Sequence, residues 1–169
     1  MDVQPERSPR FYLVRLEPGE NIADSLCALA KEYALPAMAI ASAVGSVEKV
    51  IYSTAIRDSL GTPAYSEPME HEGCTEIGSL QGHVGHDLDE APSAHLHGVF
   101  AASTGRVFAG HVHEARVLVT VEIGLIAASS ALWRRQPLYG FNGHGLAGFH
   151  PVGVLQGLPC GAHSHAVEA

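Results

Sequence analysis

The sequence predicts an α+β domain: a single, mostly antiparallel β-sheet with one main helix packed on it. Three observations carry this. Helical apolar spacing occurs once, near the start, and Pro36 stops it. The later apolar stretches are short or alternating and are separated by Gly, Asp and Pro turns, as strands are. The length of 169 residues suits one hydrophobic core and not two.

Residues 1–9, rich in Pro and charge, read as a flexible arm ahead of one domain over 10–156. Arg10 to Leu16 alternates as a first strand and ends in the turn Glu17-Pro-Gly-Glu20. Ile22, Leu26, Leu29, Ala30 and Tyr33 recur at helical spacing, with Asn21 placed to cap. Ala39 to Gly45 is small and apolar, its glycine allowing a tight corner, and Val47 to Ile56 alternates as a half-buried strand. Arg57 to Gly73, turn-rich and acidic, reads as an exposed loop or hairpin. Thr75 to Leu80 resumes strand character, and His83 to Ser93 reads as a loop. Strands are then expected at Ala94–Ala102, Arg106–Val112 and Arg116–Ile126, the first two joined by a hairpin at Ser103-Thr-Gly105. The last is apolar on both faces apart from Thr120 and Glu122, as a central strand is. Beyond Trp133-Arg-Arg135 little periodicity remains, and 157–169 is expected to be a disordered tail.

Composition excludes several classes. Apolar residues are 46% and charged residues 17%, a globular balance. No apolar run approaches the ~20 residues of a membrane-spanning helix. The first ten residues lack the hydrophobic stretch of a signal peptide, so a cytoplasmic location is expected. Cys27, Cys74 and Cys160 are odd in number and far apart, which argues against a disulfide framework and a thiolate zinc site. The net charge of −8 and the lack of a basic cluster beyond Arg134-Arg135 argue against nucleic acid as a partner. No phosphate-binding glycine motif supports a nucleotide cofactor.

Histidine is the unusual residue: eleven in all, nine of them from His71 to His150. In the strand carrying His95-Leu-His97, side chains at i and i+2 share a face, at roughly 6–7 Å Cα spacing. Their rings can converge on one ion at ~2.1 Å from each nitrogen. His111, across the short hairpin, can be brought back beside them, and Gly110 leaves room for close backbone approach. Three imidazoles with a fourth position left to water describe an open, chemically active zinc site. His113, two residues on, competes with His111 for the third place, and a four-histidine site is a further arrangement. Histidines that merely line the wet face of a sheet are the plainer alternative.

At these residues the chain resembles a known family, the plant and prokaryote conserved (PPC) domain, in its prokaryotic zinc-binding form. The resemblance is carried by Phe11-Tyr-Leu-Val-Arg-Leu-Glu-Pro-Gly-Glu20, Val44-Gly-Ser46 and Thr75-Glu-Ile-Gly-Ser-Leu-Gln-Gly82. His95-Leu-His97 and Gly105-Arg-Val-Phe-Ala-Gly-His111 complete it. It implies a sheet-and-helix domain that assembles as a homotrimer, with zinc held by His95, His97 and His111. Plant members carry a basic DNA-binding hook that has no counterpart here, and Arg57 to Gly73 is long for the family. More distantly, the scaffold is reminiscent of acetolactate decarboxylase, a zinc enzyme that also uses an H-x-H pair and a third His.

Glu76, mid-strand in an apolar segment, is the candidate catalytic carboxylate, as a general base beside the metal or as a partner orienting a ligand histidine. Arg116 and Arg134 are candidates to grip a substrate carboxylate, with a surface ion pair the plainer role for each. His83 and His86 read as polar loop residues at a pocket mouth, and Glu122 as a salt-bridge partner. Two functions remain open. One is a zinc-dependent enzyme, a lyase or hydrolase acting on a small organic acid. The other is a non-catalytic, metal-stabilised binding or regulatory module. Imidazole ligands also admit another divalent transition metal.

Overall fold

The computed structural model describes residues 6, 8–130, 132–137 and 147–152. Strand β1 (Arg10–Leu16) leads into helix α1 (Ile22–Glu32), then β2 (Met38–Ser53) and the short pair β3 (Ala55–Arg57) and β4 (Pro63–Tyr65). Three long strands follow: β5 (Met69–His86), β6 (Pro92–Ala102) and β7 (Val107–Ala127). A final hairpin joins β8 (Leu132–Pro137) to β9 (Ala147–Val152). The architecture is α+β, with one helix among the described residues on one large sheet.

α1 forms where its spacing predicts. The Asn21 side chain accepts a hydrogen bond from the Ala23 amide at 3.1 Å, satisfying one otherwise unpaired donor of the first turn. Asp24 in the first turn and Lys31 in the last complement the helix dipole. Ile22, Leu26 and Ala30 share one face and are buried against β6 and β7. Burial of Ile22 and Leu26 stabilises by about 1.5–3 kcal/mol each. Tyr33 closes the helix with its amide on the Leu29 carbonyl.

Among the described residues the large sheet has seven strands, in the order β1-β7-β2-β5-β8-β9, and β6 pairs with both β5 and β7. The path β2-β5-β6-β7 therefore returns to β2, and the sheet curls round a core of Val47, Val50, Leu80, Val84, Leu96, Phe100, Val112 and Val117. One face of each strand points into this core and the other outwards.

Several boundaries differ from the sequence reading. His83 to Ser93 is largely strand: β5 runs to His86 and β6 begins at Pro92. Its glycine marks close packing, since a Cβ on Gly85 would stand 2.4 Å from the Trp133 carbonyl oxygen. The two strands expected from Arg106 to Ile126 are one, β7, whose polar stretch His113-Glu-Ala-Arg116 still buries Ala115. Bulges in its pairing with β2 absorb the irregular spacing. Gly45 does not turn a corner; β2 passes straight through it. At φ +143°, with an added Cβ 2.1 Å from the Thr120 carbonyl oxygen, it permits close approach of β7. Arg57 to Gly73 holds the end of the β3–β4 hairpin and the start of β5. The aperiodic C-terminal stretch contains β8 and β9. The expected tail at 157–169 lies outside the described residues, as do His144 and Cys160.

Candidate metal centre

β5, β6 and β7 lie side by side, and their register sets the site. Gln81, His97 and His111 are direct partners in one cross-strand row, and His83 lies opposite His95. Leu96, Phe100 and Val112 point into the core, so alternation turns His95, His97 and His111 to the outer face. Their ligating nitrogens all lie within 4.8 Å of one another. The Nε2 atoms of His95 and His97 are 3.3 Å apart. Two nitrogens each ~2.1 Å from a tetrahedral ion are separated by about 3.4 Å, so this pair already stands at a chelating distance. Ring centroids are 5.0 Å apart for His95 and His111, and 5.4 Å for His97 and His111.

Two glycines make this crowding feasible. A Cβ on Gly82, which has φ +148°, would stand 2.0 Å from the His95 carbonyl oxygen. One on Gly110 would stand 2.4 Å from the carbonyl oxygen of Ser53, as close backbone approach beside His111 requires.

Electrostatics favour neutral rings. The pKa of His111 is lowered to about 4, chiefly by burial, then by the charges of His95, His113, His97 and Arg135. His95 is lowered by burial first, then by His97, Arg135 and His83. A neutral imidazole keeps a lone pair for a metal, so protons compete weakly for this site near neutral pH. An open groove of about 480 Å³ runs beside it, lined by Ser53, Thr54, Gln81, His97, Val99 and His111 among others.

The other candidates fall elsewhere. His113 is held by Ser53, its Nε2 2.9 Å from the hydroxyl oxygen, and it is not among the three converging histidines. Glu76 is exposed between buried Thr75 and Ile77, so the premise of a buried carboxylate does not hold. It pairs with Ala101, four residues along β6 from His97, which places it roughly 13 Å away at ~3.3 Å per residue. The structure does not bring it to the histidines. Arg116 bonds Glu114 at 3.1 Å, and Arg134 is paired with Glu90. Glu122 is exposed, opposite Arg15 of β1 in register. His83 and His86 belong to β5 and not to a loop; the His83 ring lies 4.4 Å from that of Trp133. His71 lies against Phe108, and the side chain of His150, with His163 and His165, is outside the described residues.

Four neighbours of the site were not singled out from sequence. Tyr65 of β4 lies 5.2 Å from the His111 ring. From the last hairpin, Phe149 lies 6.2 Å from the His95 ring and Trp133 lies on His83. Arg135 donates to the carbonyl of Ala94, next to His95, at 3.0 Å. The Trp133-x-Arg135 alternation is their only local sign.

Comparison with known proteins identifies the family and the fold. The model of the Plants and Prokaryotes Conserved (PCC) domain matches residues 3–129. The chain belongs to this family. A curated relative, the bifunctional protein GlmU of Synechococcus sp. (strain JA-2-3B'a(2-13)), is 31% identical to this PCC-domain chain over 134 residues. That match covers 79% of this chain and 19% of the relative, so the chain spans about a fifth of that protein's length. Among solved structures, a plant- and prokaryote-conserved (PPC) protein of Pyrococcus horikoshii superposes with a TM-score of 0.74 at 23% identity. It covers 91% of this chain and 100% of its own. The metal-containing protein AF0104 of Archaeoglobus fulgidus superposes with a TM-score of 0.73 at 24% identity, covering 88% of this chain and 99% of its own. At these identities the two structures bear on the fold alone.

Proposed function

We propose that this PCC domain holds one zinc ion through His95, His97 and His111 and offers its open coordination position to a small organic acid. The observation that carries the reading is the convergence of three imidazoles with ligating nitrogens within 4.8 Å. The 3.3 Å separation of two of them suits a tetrahedral ion. Imidazole ligands and tetrahedral geometry together favour zinc over metals that prefer square-planar or octahedral oxygen sites. That a protein of the same fold, AF0104, is described as metal-containing supports it. When bound, the zinc would supply Lewis-acid polarisation of a carbonyl or carboxylate oxygen.

The chain's own residues define the rest. The three histidines are spaced by two adjacent, register-paired strands, and burial lowers the pKa of His95 and of His111. Gln81, in the same row, presents an amide to the groove. No carboxylate is among the three converging ligands. A binding or regulatory role without turnover is the second reading, and the position of Glu76 favours it. The carboxylate that would move a proton stands roughly 13 Å along β6. Assembly as a homotrimer is part of the proposal. Leu13, Val44 and Val119, 83%, 59% and 60% exposed on β1, β2 and β7, offer apolar surface for it.

Elemental analysis of tag-free protein and of His97→Ala tests the metal reading. About one zinc per chain is expected in the wild type and none in the variant. Absence of metal from zinc-equilibrated wild type would overturn it, and light scattering checks the trimer.

A further inference from the structure

The last hairpin adds a cation to the histidine centre. It lies beyond residues 3–129, the extent of the family match, yet β8 joins the sheet beside β5 at His86. Residues two apart on β8 share a face, and Trp133 and Arg135 both point to the site. Trp133 lies on His83, the register partner of His95. The Arg135 guanidinium sits 5.1 Å above the Phe149 ring, which in turn lies 6.2 Å from the His95 ring. Its Nη2 donates to the carbonyl of Ala94, one residue before His95, which anchors the group at the edge of the site. Arg134, between them, points away to Glu90.

Charge decides what such a site accepts. Three neutral imidazoles leave the two positive charges of a divalent ion uncompensated. Arg135 adds a third, stacked on the Phe149 ring that faces His95. Its buried Nε makes no hydrogen bond and is ion-paired with the partly exposed Asp87 at 3.5 Å, which leaves Nη1 as the end of the fork without a protein partner among the described residues. A planar guanidinium matches a carboxylate in a way that a lone cation does not.

We propose that Arg135 makes this centre selective for carboxylates, one oxygen of the ligand meeting the metal and the other the guanidinium. This rests on the metal reading above. It assigns to Arg135 the gripping role that sequence offered to Arg116 or Arg134, whose guanidinium groups turn to Glu114 and Glu90.

The test uses the full chain loaded with Co²⁺, whose visible absorption reports ligands entering the coordination sphere. Acetate is the charged probe and imidazole the neutral one. Arg135→Gln is expected to weaken acetate about 10-fold while leaving imidazole and Co²⁺ affinity unchanged. Arg134→Gln leaves all three unchanged. Asp87→Asn, which frees the guanidinium without removing it, tightens acetate several-fold and guards against a folding defect in the first variant. Acetate affinity in Arg135→Gln within twofold of wild type, or an equal loss of imidazole, overturns the role of Arg135 and leaves the metal centre standing. Failure of the wild type to take up Co²⁺ or zinc overturns both.

Discussion

Replacing His97 with alanine isolates the metal term, because His97 is exposed on the outer face and its loss empties no part of the core. Zinc held by four protein ligands contributes about 10–16 kcal/mol, or roughly 3 kcal/mol for each ligand. Losing one of three therefore weakens zinc about 100-fold, at 1.4 kcal/mol per tenfold. Zinc at about 100 times its dissociation constant stabilises the wild type by about 2.7 kcal/mol. For a chain of this size, at roughly 3 °C per kcal/mol, that raises Tm by about 8 °C. At the same zinc concentration the variant sits near its own dissociation constant, where the gain is about 0.4 kcal/mol, or about 1 °C. Differential scanning fluorimetry with and without zinc reads both shifts. A zinc-induced shift in His97→Ala within 2 °C of the wild type would refute the reasoning, since the ion would then be held elsewhere. Equal melting of the two metal-free proteins is the internal check.

Three further outcomes follow from named contacts. Glu76→Gln is expected to leave zinc content and affinity within about twofold, because the carboxylate is roughly 13 Å from His97; a larger loss by competition titration would return it to the site. Gly82→Ala forces a Cβ to 2.0 Å from the His95 carbonyl oxygen at φ +148°, parting β5 from β6 beside the metal. A cost of about 2–4 kcal/mol in urea unfolding, with weakened zinc, is expected, and wild-type stability would sink the argument. In the metal-free protein His111 titrates near 4 against an ordinary 6.5, so the unfolded chain takes up its proton first. That contribution is present above pH 6.5 and fades as pH falls towards 4. After discounting for partial exposure, the wild type should lose about 1–2 kcal/mol more than His111→Gln between pH 7 and 4.5. Parallel stability curves for the two would contradict it.

Much of this protein is legible locally. Asn21, the Ile22-Leu26-Ala30 spacing and Pro36 delimit α1 because capping and helical periodicity act within a few residues. His95-Leu-His97 shows a shared face because strand alternation is equally local. His111 is legible because a short hairpin limits where the chain can return, and the observed register pairs it with His97. Where chemistry and packing use the same residues, local pattern misleads. Gly85 and the histidines round it read as loop, yet the glycine is there because another strand rests on it. Glu76 looks buried among apolar neighbours, and alternation alone turns it to solvent.

By itself the sequence determined the α+β class, the family, the helix and the His95-Leu-His97 pair with His111 or His113 across the hairpin, since each depends on the order of neighbouring residues. Only the tertiary structure set His111 among the converging rings and His113 against Ser53, because the pairing of β2 with β7 brings that serine beside it. It also brought Arg135, Trp133 and Phe149 of the last hairpin to the histidines. Their separation along the chain is bridged by sheet pairing, and no local periodicity records a partner that the chain meets only after folding.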